Sequence, residues 1–193
     1  MTFNQIKNVA LNHFTNKGYE GTSMAHIADD VGIKKQSIYT HFKGKDELFL
    51  QVYRDVFDAE LKFVINYIDS NKTQPIEEFL YNFLLLYKER YEKNNITKFW
   101  LRISFFPPAH LYEQVIDSVY EYLDKVEKHL LLVVEKAMLE GEISSTIDSQ
   151  RATSAFLGVL DGIFVEMLYG GSERLIKRLD ASWYLYWRGL SKE

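Results

Sequence analysis

Residues 33–42, IKKQSIYTHF, put two lysines, a glutamine, a serine, a threonine, a tyrosine and a histidine within ten positions. These side chains are hydrogen-bond donors, and two of them carry fixed positive charge. Their natural partner is a surface rich in acceptors and negative charge, such as a phosphate backbone with base edges beside it. The charge pattern points the same way. Lys34, Lys35, Lys43 and Lys45 follow one another with no acid between them, and the acids concentrate from Asp46 onward. The chain as a whole is acidic, with a formal net charge of −4. A basic patch on an acidic body suits a modular binder, because attraction to phosphate acts over a Debye length of roughly 8 Å.

Those donors need elements to aim them. Phe3, Ile6, Ala10 and Phe14 recur at helical spacing, and NKGYEG then interrupts the pattern with two glycines. Ser23 can cap a short second helix whose apolar stripe is Met24, Ile27, Ala28 and Val31. Gly32 ends that helix, and the quoted stretch follows at once. The order is helix, tight glycine-containing turn, helix, the arrangement of a helix-turn-helix. Ile33, Ile38 and Phe42 suffice to seat a third helix of seven residues, which leaves its polar side chains facing outward. A helix that reads a DNA groove has a polar outer face by necessity.

GYEGTSMAHIADDVGIKKQSIYTHFKGKDELF resembles the DNA-binding segment of the tetracycline-repressor (TetR) family. The Gly-aromatic pair, the Thr-Ser cap, the Ile-Ala pair, Gly32, Tyr-x-His-Phe and Lys-x-Glu-Leu fall in the family's order over about the first 50 residues. The resemblance implies an all-α protein. A three-helix helix-turn-helix domain (1–46) would precede a helical effector-binding and dimerisation domain (47–193). It also implies a homodimer on a double-stranded DNA operator, which a small-molecule effector releases; the lack of a readable signal peptide or membrane segment makes a cytoplasmic protein the expectation. Lys35, Gln36, Ser37 and Thr40 are then expected at base edges, and Tyr39, His41 and Lys45 at phosphates. Thr22, Ser23 and Lys34 complete the DNA-binding set. Lys34 departs from the pattern, since a Ser or Thr often caps the third helix; the substitution weakens the cap by about 1 kcal/mol or exchanges it for a phosphate contact.

The remaining chain reads as helices over about 46–70, 76–91, 96–106, 108–140, 149–169 and 173–190. Pro107 and Pro108 separate the third and fourth of these, and Pro108 can open the next helix because its missing N–H costs nothing there. Gly158 and Gly162 lie one turn apart in an otherwise apolar helix, at roughly 1 kcal/mol each against alanine. Close packing should offset that cost. Leu175, Leu179, Trp183, Tyr186 and Leu190 form a stripe on the last helix. Both features suit either an intrachain core or, with the resemblance, a four-helix dimer interface.

A candidate effector site consists of Phe99, Trp100, Arg102 and Phe106 with the acids Asp161 and Glu166. An acid on a largely buried helix needs a partner. That partner is an internal cation, a group across the dimer, or the cationic end of an apolar effector.

Enzyme chemistry finds no support. The absence of cysteine excludes disulfides, thiolate metal sites and a cysteine nucleophile. His13, His26, His41, His110 and His129 lack metal-ligand spacing, and no glycine-rich phosphate loop, nucleophile elbow or HExxH occurs. No cofactor is expected. No signal peptide or membrane segment is read either, so NKT (71–73) and NIT (95–97) are chance matches to the glycosylation pattern. The competing reading is a helical scaffold whose basic patch meets an acidic protein. Salt-sensitive retention on duplex DNA separates the two.

Overall fold

A computed structural model describes residues 3–191, and every regular element among them is helical. In chain order these are α1 (Phe3–Lys17), α2 (Met24–Val31), α3 (Lys35–Ile38), α4 (Lys45–Asn71) and α5 (Ile76–Lys93). α6 (Asn95–Phe105), α7 (Tyr112–Leu139), α8 (Ser149–Tyr169) and α9 (Ser172–Leu190) follow. Two compact units result. One contains residues 1–60 with 93–119, the other 61–92 with 120–193. α4 and α7 each begin in the first and end in the second.

The first unit is built on aromatic packing. Phe14 meets Phe49 edge-on with ring centroids 5.1 Å apart, and Phe99 lies 5.9 Å from Phe49. Ile6, Ala10, Ile27, Ile38, Phe42 and Leu48 are buried with them, so α1–α3 share this core with the start of α4. Two polar groups are buried but satisfied: the Thr97 hydroxyl donates to Glu60 (2.8 Å), and the Tyr53 hydroxyl donates to the Val115 carbonyl (3.1 Å).

The second unit centres on Phe79, Phe83, Tyr87, Phe156 and Phe164. Glu142 accepts from the Ile76 amide at 2.8 Å, so an acid from the α7–α8 loop satisfies the first turn of α5. α7 ends at Leu139 and is closed by Gly141, whose φ of +76° admits the left-handed turn that returns the Glu142 amide to the Ala137 carbonyl. α8 is long and apolar enough to cross a bilayer by length and composition alone. It nevertheless carries Asp161 and a buried Glu166, and packs Phe156 against Phe83 and Tyr186 as a core helix does.

Two expected boundaries shift. α3 has four residues, not seven, because the chain from Tyr39 to His41 closes as turns, the His41 and Phe42 amides both returning to the Ile38 carbonyl. Pro108 does not open α7. It starts a 3-10 turn at Ala109–Leu111, where the Leu111 amide reaches the Pro108 carbonyl at 2.9 Å, and α7 begins at Tyr112.

Candidate nucleic-acid interface

Ser23 starts α2 from an extended backbone, and its hydroxyl accepts the His26 amide at 3.2 Å. Gly32 closes α2 at φ +77°, a left-handed conformation that lets the Ile33 amide reach back to the Ala28 carbonyl at 3.0 Å. That closure throws the chain directly into α3. Lys34 occupies the cap position of α3 and makes no side-chain cap bond, so its ammonium faces solvent.

Only Ile38 and Phe42 anchor this segment; Phe42 stacks on Phe3 at 4.8 Å. Lys34, Lys35, Gln36, Ser37, Tyr39, Thr40 and His41 are all exposed, with Tyr39 at 47%. The Thr40 hydroxyl turns back to the Ser37 carbonyl at 2.7 Å, and the His41 ring lies edge-on to Phe3 at 6.2 Å. Lys43 is exposed as well. The result is a short rod with apolar residues on one side and a dense polar, basic set on the other.

Two expected DNA contacts are engaged elsewhere. Thr22 is buried at 2% exposure, and its hydroxyl donates to the Gly18 carbonyl at 2.7 Å, so it builds the α1–α2 turn. Lys45 points into the same turn. Its ammonium donates to the Tyr19 and Thr22 carbonyls at 3.0 and 3.2 Å and sits 3.9 Å over the Tyr19 ring. Beside it the Tyr19 hydroxyl donates to Asp46, and His110 lies 3.3 Å from that carboxylate. The Tyr19 hydrogen bond first, then His110 and Lys45, hold the Asp46 carboxyl below the usual carboxylate range against some desolvation. Sequence reading missed this cluster. Tyr19, Asp46 and His110 are far apart in the chain, and nothing in their spacing announces contact.

The expected effector residues do not converge on one site: Glu166 lines a pocket of the second unit with Lys88, Tyr91, Glu92, Met167 and Leu175, and the others are placed differently. Phe99 and Trp100 are core, packed on Phe14, Phe49 and Tyr53. Arg102 is committed to main-chain carbonyls, at 3.0 Å from Thr15 and 3.4 Å from Asn16. Phe106 is 48% exposed. Asp161 and Glu166 belong to the other unit. Glu166, 4% exposed, is an internal ion-pair partner: Arg174 Nε lies 2.8 Å and Arg178 Nη1 3.1 Å from its oxygens. The Arg174 approach is a charge contact without well-directed hydrogen-bond geometry at Oε2. Asp161 faces outward on α8, where desolvation raises its carboxyl. Among the described residues no group of three His, Cys, Asp or Glu could hold a metal ion.

The stripe expected as an interface on α9 turns inward. Leu175 and Leu179 are buried within the chain, Trp183 packs 5.2 Å from Tyr81, and the Tyr186 hydroxyl donates to the Ala152 carbonyl at 3.0 Å. These side chains fasten α9 to α8 and α5, joining this stripe to the chain's own core. The outward sides carry different residues. Gly158 and Gly162 look onto open space on α8, where Val165 is also exposed, and α9 shows Ile176, Tyr184 and Leu185.

Residues 6–52 match the family of bacterial regulatory proteins called the tetR family. The biofilm operon icaADBC HTH-type negative transcriptional regulator IcaR of Staphylococcus epidermidis is 31% identical over 101 residues, 52% of each chain. The match thus spans about half the length of that relative. Two solved structures share the fold over nearly the whole chain. A Mesorhizobium loti protein assigned to the TetR family superposes with a TM-score of 0.73 at 23% identity, covering 98% of this chain and 96% of that one. The transcriptional regulator FadR of Bacillus subtilis, solved in complex with stearoyl-CoA, gives 0.68 at 16% identity, covering 96% and 97%. Residues 6–52 thus match the DNA-binding segment of the tetR family of bacterial regulatory proteins, and the chain as a whole shares the helical fold of these solved regulators.

Proposed function

We propose that the protein is a homodimeric transcriptional repressor that binds a palindromic DNA operator and leaves it when a small apolar or amphipathic effector binds. The observation that carries this reading is the exposed donor set of Lys34, Lys35, Gln36, Ser37 and Tyr39 on a rod seated by Ile38 and Phe42. Lys35, Gln36 and Thr40 approach base edges; Lys34, Tyr39, His41 and Lys43 reach phosphates. The negative regulator IcaR supports repression. Such a reader works where the chromosome is, in the cytoplasm.

Two-fold assembly follows from the operator, since paired helices read half-sites about one helical turn or a multiple apart. The outward faces of α8 at Gly158, Gly162 and Val165, and of α9 at Ile176, Tyr184 and Leu185, are the candidate contact. Effector chemistry leans away from a cation held by Glu166, whose charge is already met by Arg174 and Arg178. An acyl compound is favoured, with the stearoyl-CoA complex of FadR as its precedent in the fold. The test is selection of bound fragments from genomic DNA over a salt series. A palindromic sequence recovered with steeply salt-dependent affinity supports the reading, and retention of no duplex at low salt removes it.

A further inference from the structure

Two cations converge on the turn between α1 and α2, one from α6 and one from α4. The last carbonyls of α1 have no helical partner and carry the negative end of its dipole. Arg102 of α6 donates to two of them, Thr15 and Asn16, at 3.0 and 3.4 Å. Its guanidinium lies over Gly18, where a Cβ would come within 3.1 Å of Nη2 and where φ is +71°. From the other side Lys45 holds the Tyr19 and Thr22 carbonyls. α6 also meets α1 through Asn95, which donates to Asn12 at 2.8 Å. The next residue after Thr22 is the Ser23 cap, where α2 begins.

We propose that Arg102 and Lys45 are positioning residues that fix the direction in which α2 and α3 leave α1, rather than an effector anchor and a phosphate contact. The inference rests on the DNA-binding reading above. Its reason is geometric: each cation spends its charge on main-chain carbonyls, those of the last turn of α1 for Arg102 and those of the α1–α2 turn for Lys45, and that turn is the covalent link from α1 to the reading segment. A displacement of α6 is thereby delivered through Arg102 to the start of α2.

The experiment uses the full chain with Arg102→Met, Arg102→Lys and Lys45→Met. Its probes are a duplex selected by the unsubstituted chain and a duplex of random sequence. Arg102→Met and Lys45→Met should weaken the selected duplex by about ten-fold, while random-duplex binding and the salt slope stay as they were. Amide exchange should quicken at residues 18–23 and stay slow in α8, and Arg102→Lys should restore part of the affinity. Equal weakening of both duplexes, with a salt slope lower by about 0.9, would make the two residues phosphate ligands and overturn the proposal. Unchanged affinity despite faster exchange, or lost protection in α8 too, would reduce them to general stabilisers. Failure of the DNA reading itself shows differently, as an unsubstituted chain that selects no duplex.

Discussion

Gly158 and Gly162 permit a test in which assembly and folding move in opposite directions. A Cβ placed at either position meets nothing within 4 Å in the isolated chain. Replacing an exposed mid-helix glycine with a better helix former stabilises the helix by about 1 kcal/mol. For a chain of this length that raises the melting temperature by about 2–4 °C. If the face packs against its two-fold copy, the outcome reverses. A side chain forced into a close-packed contact costs about 1–3 kcal/mol, and symmetry presents it twice, so dimerisation loses about 2–6 kcal/mol. Even the low end weakens the dimer about 30-fold. Sedimentation equilibrium of Gly162→Leu over a range of concentrations, with melts of the same samples, reads both effects. The expected result is a monomer that stays folded and no longer holds the palindromic duplex. A Gly162→Leu chain that remains dimeric and melts higher refutes the interface assignment, and a monomeric parent removes the dimer itself.

Other outcomes are equally open to measurement. Gln36→Ala should change preference at one base position by about 1–3 kcal/mol, whereas Lys34→Ala should weaken all duplexes alike and lower the salt slope by about 0.9; competition titrations with single-base variants distinguish them. Removing both Arg174 and Arg178 leaves a buried carboxylate without its cations, a change that costs about 3–5 kcal/mol in a fully buried pair. The cost is smaller here because both arginines keep over half of their side-chain surface in water. Glu166→Gln frees the arginines to solvent and should cost only about 1 kcal/mol; equal losses in denaturant melts would contradict the asymmetry. Asp46 has its folded carboxyl below the unfolded value, so its contribution is complete above about pH 4 and disappears as pH falls through the folded value. Tyr19→Phe removes the largest cause and raises the folded value toward the unfolded one, so the acid-side loss should be smaller and complete at a higher pH in melts of that variant. An acid limb identical to the parent's would argue against the Tyr19 hydrogen bond as its origin.

Local signals determined a great deal. Apolar spacing of 3.6 residues is enforced by each helix on its own, and Ser23 and Gly32 act on amides and carbonyls within a few positions of themselves. The helix ends near 71, 105 and 169, and the exposed donors of 34–41, were therefore legible before any fold was known. The direction of long side chains was not. In the sequence Arg102 reads as part of an effector site and Lys45 as a phosphate contact, and each is drawn to carbonyls that only the packed end of α1 and the turn after it present. Thr22 reads as a polar contact and is buried. The α9 stripe could face a partner or its own chain with the same periodicity, and Tyr81 and Phe156 decide it by offering an aromatic wall on the inner side. Glu166 likewise needed a partner, which turned out to stand two and three turns further on, past a change of helix. A residue's type states what it must satisfy, and the chain's nearest neighbours settle that only for backbone groups. For charges on long stems and for apolar stripes, the partner is chosen by whichever distant surface folding brings within a few ångströms.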